Sequence, residues 1–423
     1  MKCSVDSADD IRVTSDHRTA DRHTWGHVGL LSVRTCSISV HLMEAEGQRQ
    51  PAQIDYIGSS DRIFMRNYAY TCTMSGSPKK VGVVGASGYG GAELLRLCAG
   101  HPDLKVAVAA AGSNAGQSVA AHTPSLAAAY PNLTYGPTDA ASLDGLDVVF
   151  LALPHGQSQS LVPDLVDKVG LIVDLAADFR LKDPGLYPTW YGEAHEVPEL
   201  LSTFVYGLPE LYRSDLVGAT RIAAPGCYPT ATLLALAPLI EAGVVALPGD
   251  GGAPALIVDA ASGVSGAGRG AKESLNFSAV DEDFVAYGLL DHRHTAEMEQ
   301  GLGTSVLFTP HLAPMVRGIL ATCYARPVDP AALTTEDAMQ ILHDRYADEP
   351  FVVVSDAPPS TKAASGSNTA HLSVRVDPRT GWIVVLSAID NLIKGAAGQA
   401  VQCANIALGL PEVTGLPVVG VFP

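Results

Sequence analysis

Nowhere does this chain hold the roughly 18 consecutive apolar residues that a membrane-spanning helix needs. Its first thirty residues also lack the apolar stretch of a secretory signal. Cysteine is scarce: seven in 423 residues, at 3, 36, 72, 98, 227, 323 and 403, with no CxxC pair. That argues against a disulfide framework and gives no zinc-ligand spacing, so no metal is expected and a reducing cytoplasm is the simplest setting. Positive charge is short as well, 27 Lys and Arg against 44 Asp and Glu, for a net charge of −17. Such a balance argues against a nucleic-acid partner, and substrate anions must be met by local arginines. Charged residues make up only 17% and hydrophobic ones 47%, a globular composition with length for two or three domains.

Regular patterning is missing from residues 1–73. They carry eight basic and nine acidic residues and no sustained period of 2 or 3.6. Asp6, Asp9, Asp10, Asp16 and Asp21 are out of place in a mitochondrial presequence. The expectation is a disordered or non-native extension over 1–73, with Met74 as the natural start.

What is present begins at Lys79. Apolar runs over Lys80–Val84, Leu104–Ala111, Leu146–Leu153 and Leu171–Leu175 read as buried strands. Helical stretches near Gly91–Ala99 and Gln157–Val166 separate them, an alternation that predicts a parallel sheet with crossover helices. Ligands of such sheets sit beyond the carboxyl ends of the strands, which gathers Gly85–Gly91, Ser113-Asn114, Pro154-His155 and Ala176–Arg180 around one crevice. Longer strands follow at Ala255–Ser262, Val306–Leu312, Gly318–Ala325, Leu372–Val376 and Trp382–Ile389, predicting a mostly antiparallel second domain. The last helix, Ala396–Leu408, is placed to return to the first domain.

The turn Gly85-Ala86-Ser87-Gly88-Tyr89-Gly90-Gly91 follows a strand and opens a helix, the context in which glycines let a backbone approach a pyrophosphate. NAD-selective folds place Asp or Glu at the end of the second strand. Here that position reads Ala110-Ala111-Gly112-Ser113-Asn114, so NADPH is expected rather than NADH, with Ser87, Ser113 and Asn114 receiving the 2′-phosphate.

Cys227 stands between the turn Pro225-Gly226 and an apolar helix expected over Thr230–Ile240. Amides and the positive end of a helix dipole favour a thiolate there, and the same amides suit an oxyanion. Its acid–base partner is expected in Asp291-His292-Arg293-His294, with His294 chosen for the proton and His292 beside the substrate. Arg269, closing the loop Ser262–Gly270, and Arg180 are the expected anion clamps; Arg317 is a weaker third.

These motifs, together with Leu153-Pro154-His155-Gly156, Asp174–Leu181, Tyr206-Gly207-Leu208-Pro209-Glu210 and Asn391–Ala400, run in order from about 79 to 417 and resemble the N-acetyl-γ-glutamyl-phosphate reductases of arginine biosynthesis. The resemblance implies a Rossmann-type NADP-binding domain (74–224) and a mixed α+β catalytic and oligomerisation domain (225–394). A C-terminal helix (395–423) packs back on the first. It implies a homo-oligomer, a dimer or tetramer, a catalytic role for Cys227 and the His292–His294 motif, and cofactor contacts from the glycine turn, Pro154-His155 and Asn391. The nearest rival is a reductase of carrier-bound aminoadipyl phosphate. A reading from another class is an NADPH-binding redox sensor switched by Cys227.

Overall fold

The computed structural model describes residues 77–247 and 255–422 and three strands upstream of them. It divides into two units, Met1–Met74 and Ser75–Pro423. In the first, β1 (Arg12–Thr14), β2 (Cys36–His41) and β3 (Ala52–Tyr56) pair antiparallel in that order. The remainder of that stretch, and with it the expectation for 1–73, lies outside the described residues.

In the second unit, apolar runs buried on both faces form the parallel sheet the sequence predicts. It comprises β4 (Lys79–Val84), β5 (Leu104–Ala110), β6 (Val148–Leu151), β7 (Leu171–Asp174), β8 (Val205–Tyr206) and β9 (Arg221–Ala223). Their order is β5-β4-β6-β7-β9-β8, every pair parallel. The order reverses at β4, so the crevice falls at the carboxyl ends of β4 and its neighbours. β8 and β9 are two and three residues long, too short to give a periodic signal in the sequence.

The second sheet holds β10 (Leu256–Gly263), β11 (Val285–Ala286), β12 (Val306–Ala313), β13 (Ile319–Ala325), β14 (Val352–Val354), β15 (Ala370–Val376) and β16 (Ile383–Ile389). Its order is β11-β12-β10-β13-β16-β15-β14. Four of its six pairs are antiparallel, as the sequence predicts; two, β10 with β12 and β14 with β15, are parallel, each joined by a connection long enough for a crossover. Burial alternates along β10 and β13. The buried face packs under the helices Cys227–Glu241 and Thr335–Arg345. The other face stays partly open.

The helix Cys227–Glu241 is apolar on all sides and buried along nearly its whole length, as expected of a helix inside a core. The C-terminal helix Gly398–Ala407 follows a π-helical turn, Ile393–Ala397. It packs against the helix Tyr89–Ala99 and β7, so it returns to the nucleotide-binding sheet as its position in the sequence suggests.

Candidate active site

β9 runs through Pro225 and Gly226 directly into a helix whose first residue is Cys227, one turn earlier than expected, with Gly226 as N-cap. The turn is fixed from beneath. The Gly226 amide donates to Glu297 Oε1 at 2.8 Å, and Thr230 donates through both its amide and its hydroxyl to the Gly226 carbonyl. A β-carbon on Gly226 would lie 2.6 Å from His294 Nε2, and one on Gly395 would lie 2.7 Å from Cys227 Cβ. Glycine at both positions lets the histidine and the π-turn close on the cysteine.

Among the described residues Cys98, Cys323 and Cys403 are buried free thiols, whereas Cys227 is only partly buried and faces a cavity of about 570 Å³. Tyr228, Ser262, Lys272, His292, Arg293 and His294 share the walls. Burial pushes the Cys227 thiol up to about 11, against the pull of the Arg180 guanidinium and the Tyr228 amide. This corrects the expectation that the helix terminus ionises the sulfur: desolvation of a thiolate, with the Glu297 charge behind it, outweighs the two amides of Cys227 and Tyr228 and one buried arginine. The resting group is a thiol and needs a base.

His294 lines the same cavity as Cys227. It opens the helix His294–Leu302, and its ring is 9% exposed, with Nδ1 bonded to no partner. Burial, then the charges of His292, Arg180 and Arg293, hold it well below the ordinary histidine value, so it is an uncharged acceptor at neutral pH. His292 lies 4.8 Å away between ring centroids and also lines the cavity. Burial pushes it down to about 4.

The two expected anion clamps sit elsewhere. Arg180 lies behind the nucleophile, outside the cavity wall. It donates to the carbonyls of Ala224 (2.8 Å) and Leu175 (2.7 Å) and to Glu297 (3.3 Å). Its Nη1 also lies 3.5 Å from His294 Nε2, so its guanidinium is committed to these groups, and its charge acts on both Cys227 and His294. Arg269 is carried away by Gly268, whose φ of +86° turns the loop toward the glycine turn. There it donates to the Ser87 carbonyl at 3.1 Å. Arg317 is tied to Glu93 and Asp390. The cations that do line the cavity are Lys272 and Arg293; the second lies inside the histidine motif singled out in the sequence, whereas Lys272 lies two residues beyond the Ser262–Gly270 loop. Glu297 was given no role from the sequence, although it stands in the titratable cluster Asp291–Glu299, one turn after His294 on the same helix face.

The dinucleotide crevice has the shape its glycines imply. Gly85 has φ +77°, and a β-carbon there would meet the Ala152 carbonyl at 2.1 Å; one on Gly91 would meet the Gly85 carbonyl at 2.3 Å. Gly88 caps the helix Tyr89–Ala99 with no side-chain bond to its first-turn amides, leaving those amides and the exposed Tyr89 and Gly90 side of the turn open to a pyrophosphate. Asn114 donates to the Ser87 hydroxyl at 3.0 Å, and Ser113 is exposed beside it. Two expected contacts are turned inward. His155, next to Pro154, pairs with Asp178, and Asn391 accepts from the Gly318 amide and donates to Ser265.

Comparison with known proteins gives the same outline. Residues 80–219 match the semialdehyde dehydrogenase NAD binding domain and residues 227–391 the semialdehyde dehydrogenase dimerisation domain. An N-acetyl-gamma-glutamyl-phosphate reductase of Symbiobacterium thermophilum is 48% identical over 354 residues, 81% of this chain and 99% of the relative. The chain belongs to the N-acetyl-gamma-glutamyl-phosphate reductase family. A second member of the family, from Ectopseudomonas mendocina, is 47% identical over 352 residues, with the same shares covered. Among solved structures, aspartate semialdehyde dehydrogenase II of Vibrio cholerae complexed with ASA matches with a TM-score of 0.58 at 16% identity, over 79% of this chain and 99% of that one. Aspartate semialdehyde dehydrogenase with NADP from Candida albicans matches with a TM-score of 0.58 at 18% identity, over 78% of this chain and 98% of that one. At that identity the likeness shows the fold the family shares with those enzymes. No helix among the described residues is long and apolar enough to cross a membrane.

Proposed function

We propose that this chain reduces N-acetyl-γ-glutamyl phosphate to N-acetylglutamate 5-semialdehyde with release of phosphate, a cytoplasmic step of arginine biosynthesis, through a thioester on Cys227 with NADPH as reductant. The observation that carries it is the meeting of Cys227, an uncharged His294 and the cations Lys272 and Arg293 around one cavity.

His294 takes the Cys227 proton, and the sulfur attacks the acyl carbon. The carbon–oxygen bond to phosphate breaks, the proton on His294 passes to the departing phosphate, and the acyl group stays on sulfur. Lys272 and Arg293 hold the substrate's anionic groups, and the Cys227 and Tyr228 amides face the oxygen that gains charge. The dinucleotide, when bound, supplies a hydride to the thioester carbon; the glycine turn 85–91, with Ser87, Ser113 and Asn114, would hold it. Collapse of the resulting hemithioacetal frees the aldehyde and returns the sulfur as thiolate, which the Arg180 field and the Tyr228 amide stabilise until it regains a proton.

The half-open face of the second sheet supports a homo-oligomer. Tyr324 lies between Ile257 and Val384, and Thr322 between Asp259 and Leu386, all partly exposed. A second copy would cover them. The assay that tests the reaction is formation of NADPH from N-acetylglutamate semialdehyde and NADP⁺, with and without phosphate, beside the carrier-bound aminoadipyl substrate. Phosphate-dependent turnover of the acetylglutamyl compound is expected. Turnover of the carrier-bound substrate alone, or none of either, would reject the proposal.

A further inference from the structure

The polar groups at the carboxyl end of β5, Ser113 and Asn114, carry no charge, and neither does Ser87 beside them. A ribose 2′-phosphate there would bring close to two negative charges into a protein that already carries −17. Hydroxyls and amides alone leave such a group poorly neutralised. Near this crevice Arg96 and Arg317 are both paired with Glu93. One arginine stands differently.

Arg269 reaches over from the second sheet. Its Nη1 donates to the Ser87 carbonyl (3.1 Å) and the Thr123 hydroxyl (3.2 Å), its Nη2 donates to the His122 carbonyl (2.9 Å), and its guanidinium lies 6.0 Å from the Tyr89 ring. Asn114 meets the same Ser87 through its hydroxyl. An arginine has five N–H donors, so Nε–H and one Nη2–H remain without a partner among the described residues, on an exposed side chain. The loop that delivers it is anchored: Ser265 is held by the Asn391 amide at 3.0 Å, and the Val264 and Ser265 amides donate to Met315 and Val316. The guanidinium is therefore stationed on a fixed support beside Ser87, the residue that Asn114 also reaches from the end of β5, and the 2′ position of the ribose of a dinucleotide bound across β4 and β5 comes to lie at that end.

We infer that Arg269, carried by the catalytic half of the chain, receives the 2′-phosphate of the dinucleotide and is the residue that selects NADPH over NADH. The inference rests on the NADPH reading above. It makes cofactor selection a property of both halves of the fold, since neither Ser87 nor Asn114 supplies the charge by itself.

The test is calorimetric binding of NADP⁺, NAD⁺, adenosine 2′,5′-bisphosphate and AMP to the full chain and to R269M and R269K, with thermal unfolding measured alongside. R269M is expected to weaken NADP⁺ and the bisphosphate by about 10- to 100-fold, the worth of hydrogen bonds to a charged group. NAD⁺ and AMP should change by no more than about twofold on the same scale, and R269K should retain part of the preference. Equal losses for NADP⁺ and NAD⁺ would make Arg269 a clasp between the two sheets and overturn the inference, as would an undiminished NADP⁺ preference in R269M. Should R269M fold poorly, R269K decides: a preference equal to that of the wild type for every ligand counts against bidentate capture. A wild type that binds both dinucleotides equally would overturn the NADPH reading itself, and the inference with it.

Discussion

At Cys227 the local signals and the environment pull in opposite directions. The helix start and the Arg180 guanidinium favour a thiolate, yet burial wins and leaves a thiol at about 11. In the proposed mechanism, proton transfer to His294 is then part of the reaction rather than a condition met beforehand. Cys227→Ser should lower turnover by a factor on the order of 10³ or more while NADP⁺ affinity, measured by calorimetry, stays near wild type; turnover within tenfold of wild type would reject the nucleophile. His292 gives a stability prediction. Its value is about 4 in the fold against 6.5 for an ordinary histidine, so the unfolded chain binds more protons between those limits. Stability is therefore full above about 6.5 and falls as pH drops toward 4, by about 2 kcal/mol from this group at pH 5. Denaturant titrations at pH 7 and pH 5 should show a smaller loss in His292→Asn than in wild type.

Among the elements, the π-helical turn Ile393–Ala397 has the clearest consequence for chemistry. It is anchored by Lys394, fully buried, which donates to Glu210 at 2.6 Å and to Gln402 at 2.9 Å. It presses Gly395 against Cys227. A single-turn π insertion of this kind frequently marks a functional site. Gly395→Ala should displace the nucleophile and lower kcat by about 100-fold, as a misplacement of roughly 1 Å does, with dinucleotide affinity unchanged. Equal losses in kcat and in affinity would show instead that the turn shapes the crevice as a whole. None of this was visible in the run Asn391–Ala400, which reads simply as the start of a helix. The neighbours that force the extra turn residue, Cys227 and Glu210, lie far off in sequence. The glycine turn was legible for the opposite reason: Gly85 and Gly91 meet their constraint within a few residues, from β4 and the helix it feeds.

At the scale of the whole second unit, Ser75–Pro423, the parallel sheet is covered on both faces and the mixed sheet on one. Tyr324 sits in the middle of the open face, flanked by Ile257 and Val384. Tyr324→Arg should shift the sedimentation coefficient of the assembly toward that of the single chain, because an unpaired guanidinium resists burial; an unchanged coefficient would place the contact elsewhere. Charge at the site follows the same division between local and distant causes. The sequence singled out Arg180 and Arg269 because each stands beside a glycine- or aspartate-rich motif, but Glu297 draws the first inward and Gly268 turns the second to the glycine turn. Lys272 and Arg293 reach the cavity instead.

The amino-acid order by itself determined the longer strands, the glycine turn and the family, and it singled out Cys227 as the candidate nucleophile, since each depends on residue types and spacings over a few turns of chain. Which arginine lines the cavity at Cys227, which reaches the glycine turn, and whether the sulfur rests as thiol or thiolate were decided only in the folded molecule. Those properties depend on desolvation and on charges brought together from distant segments, and neither exists until the two sheets have packed.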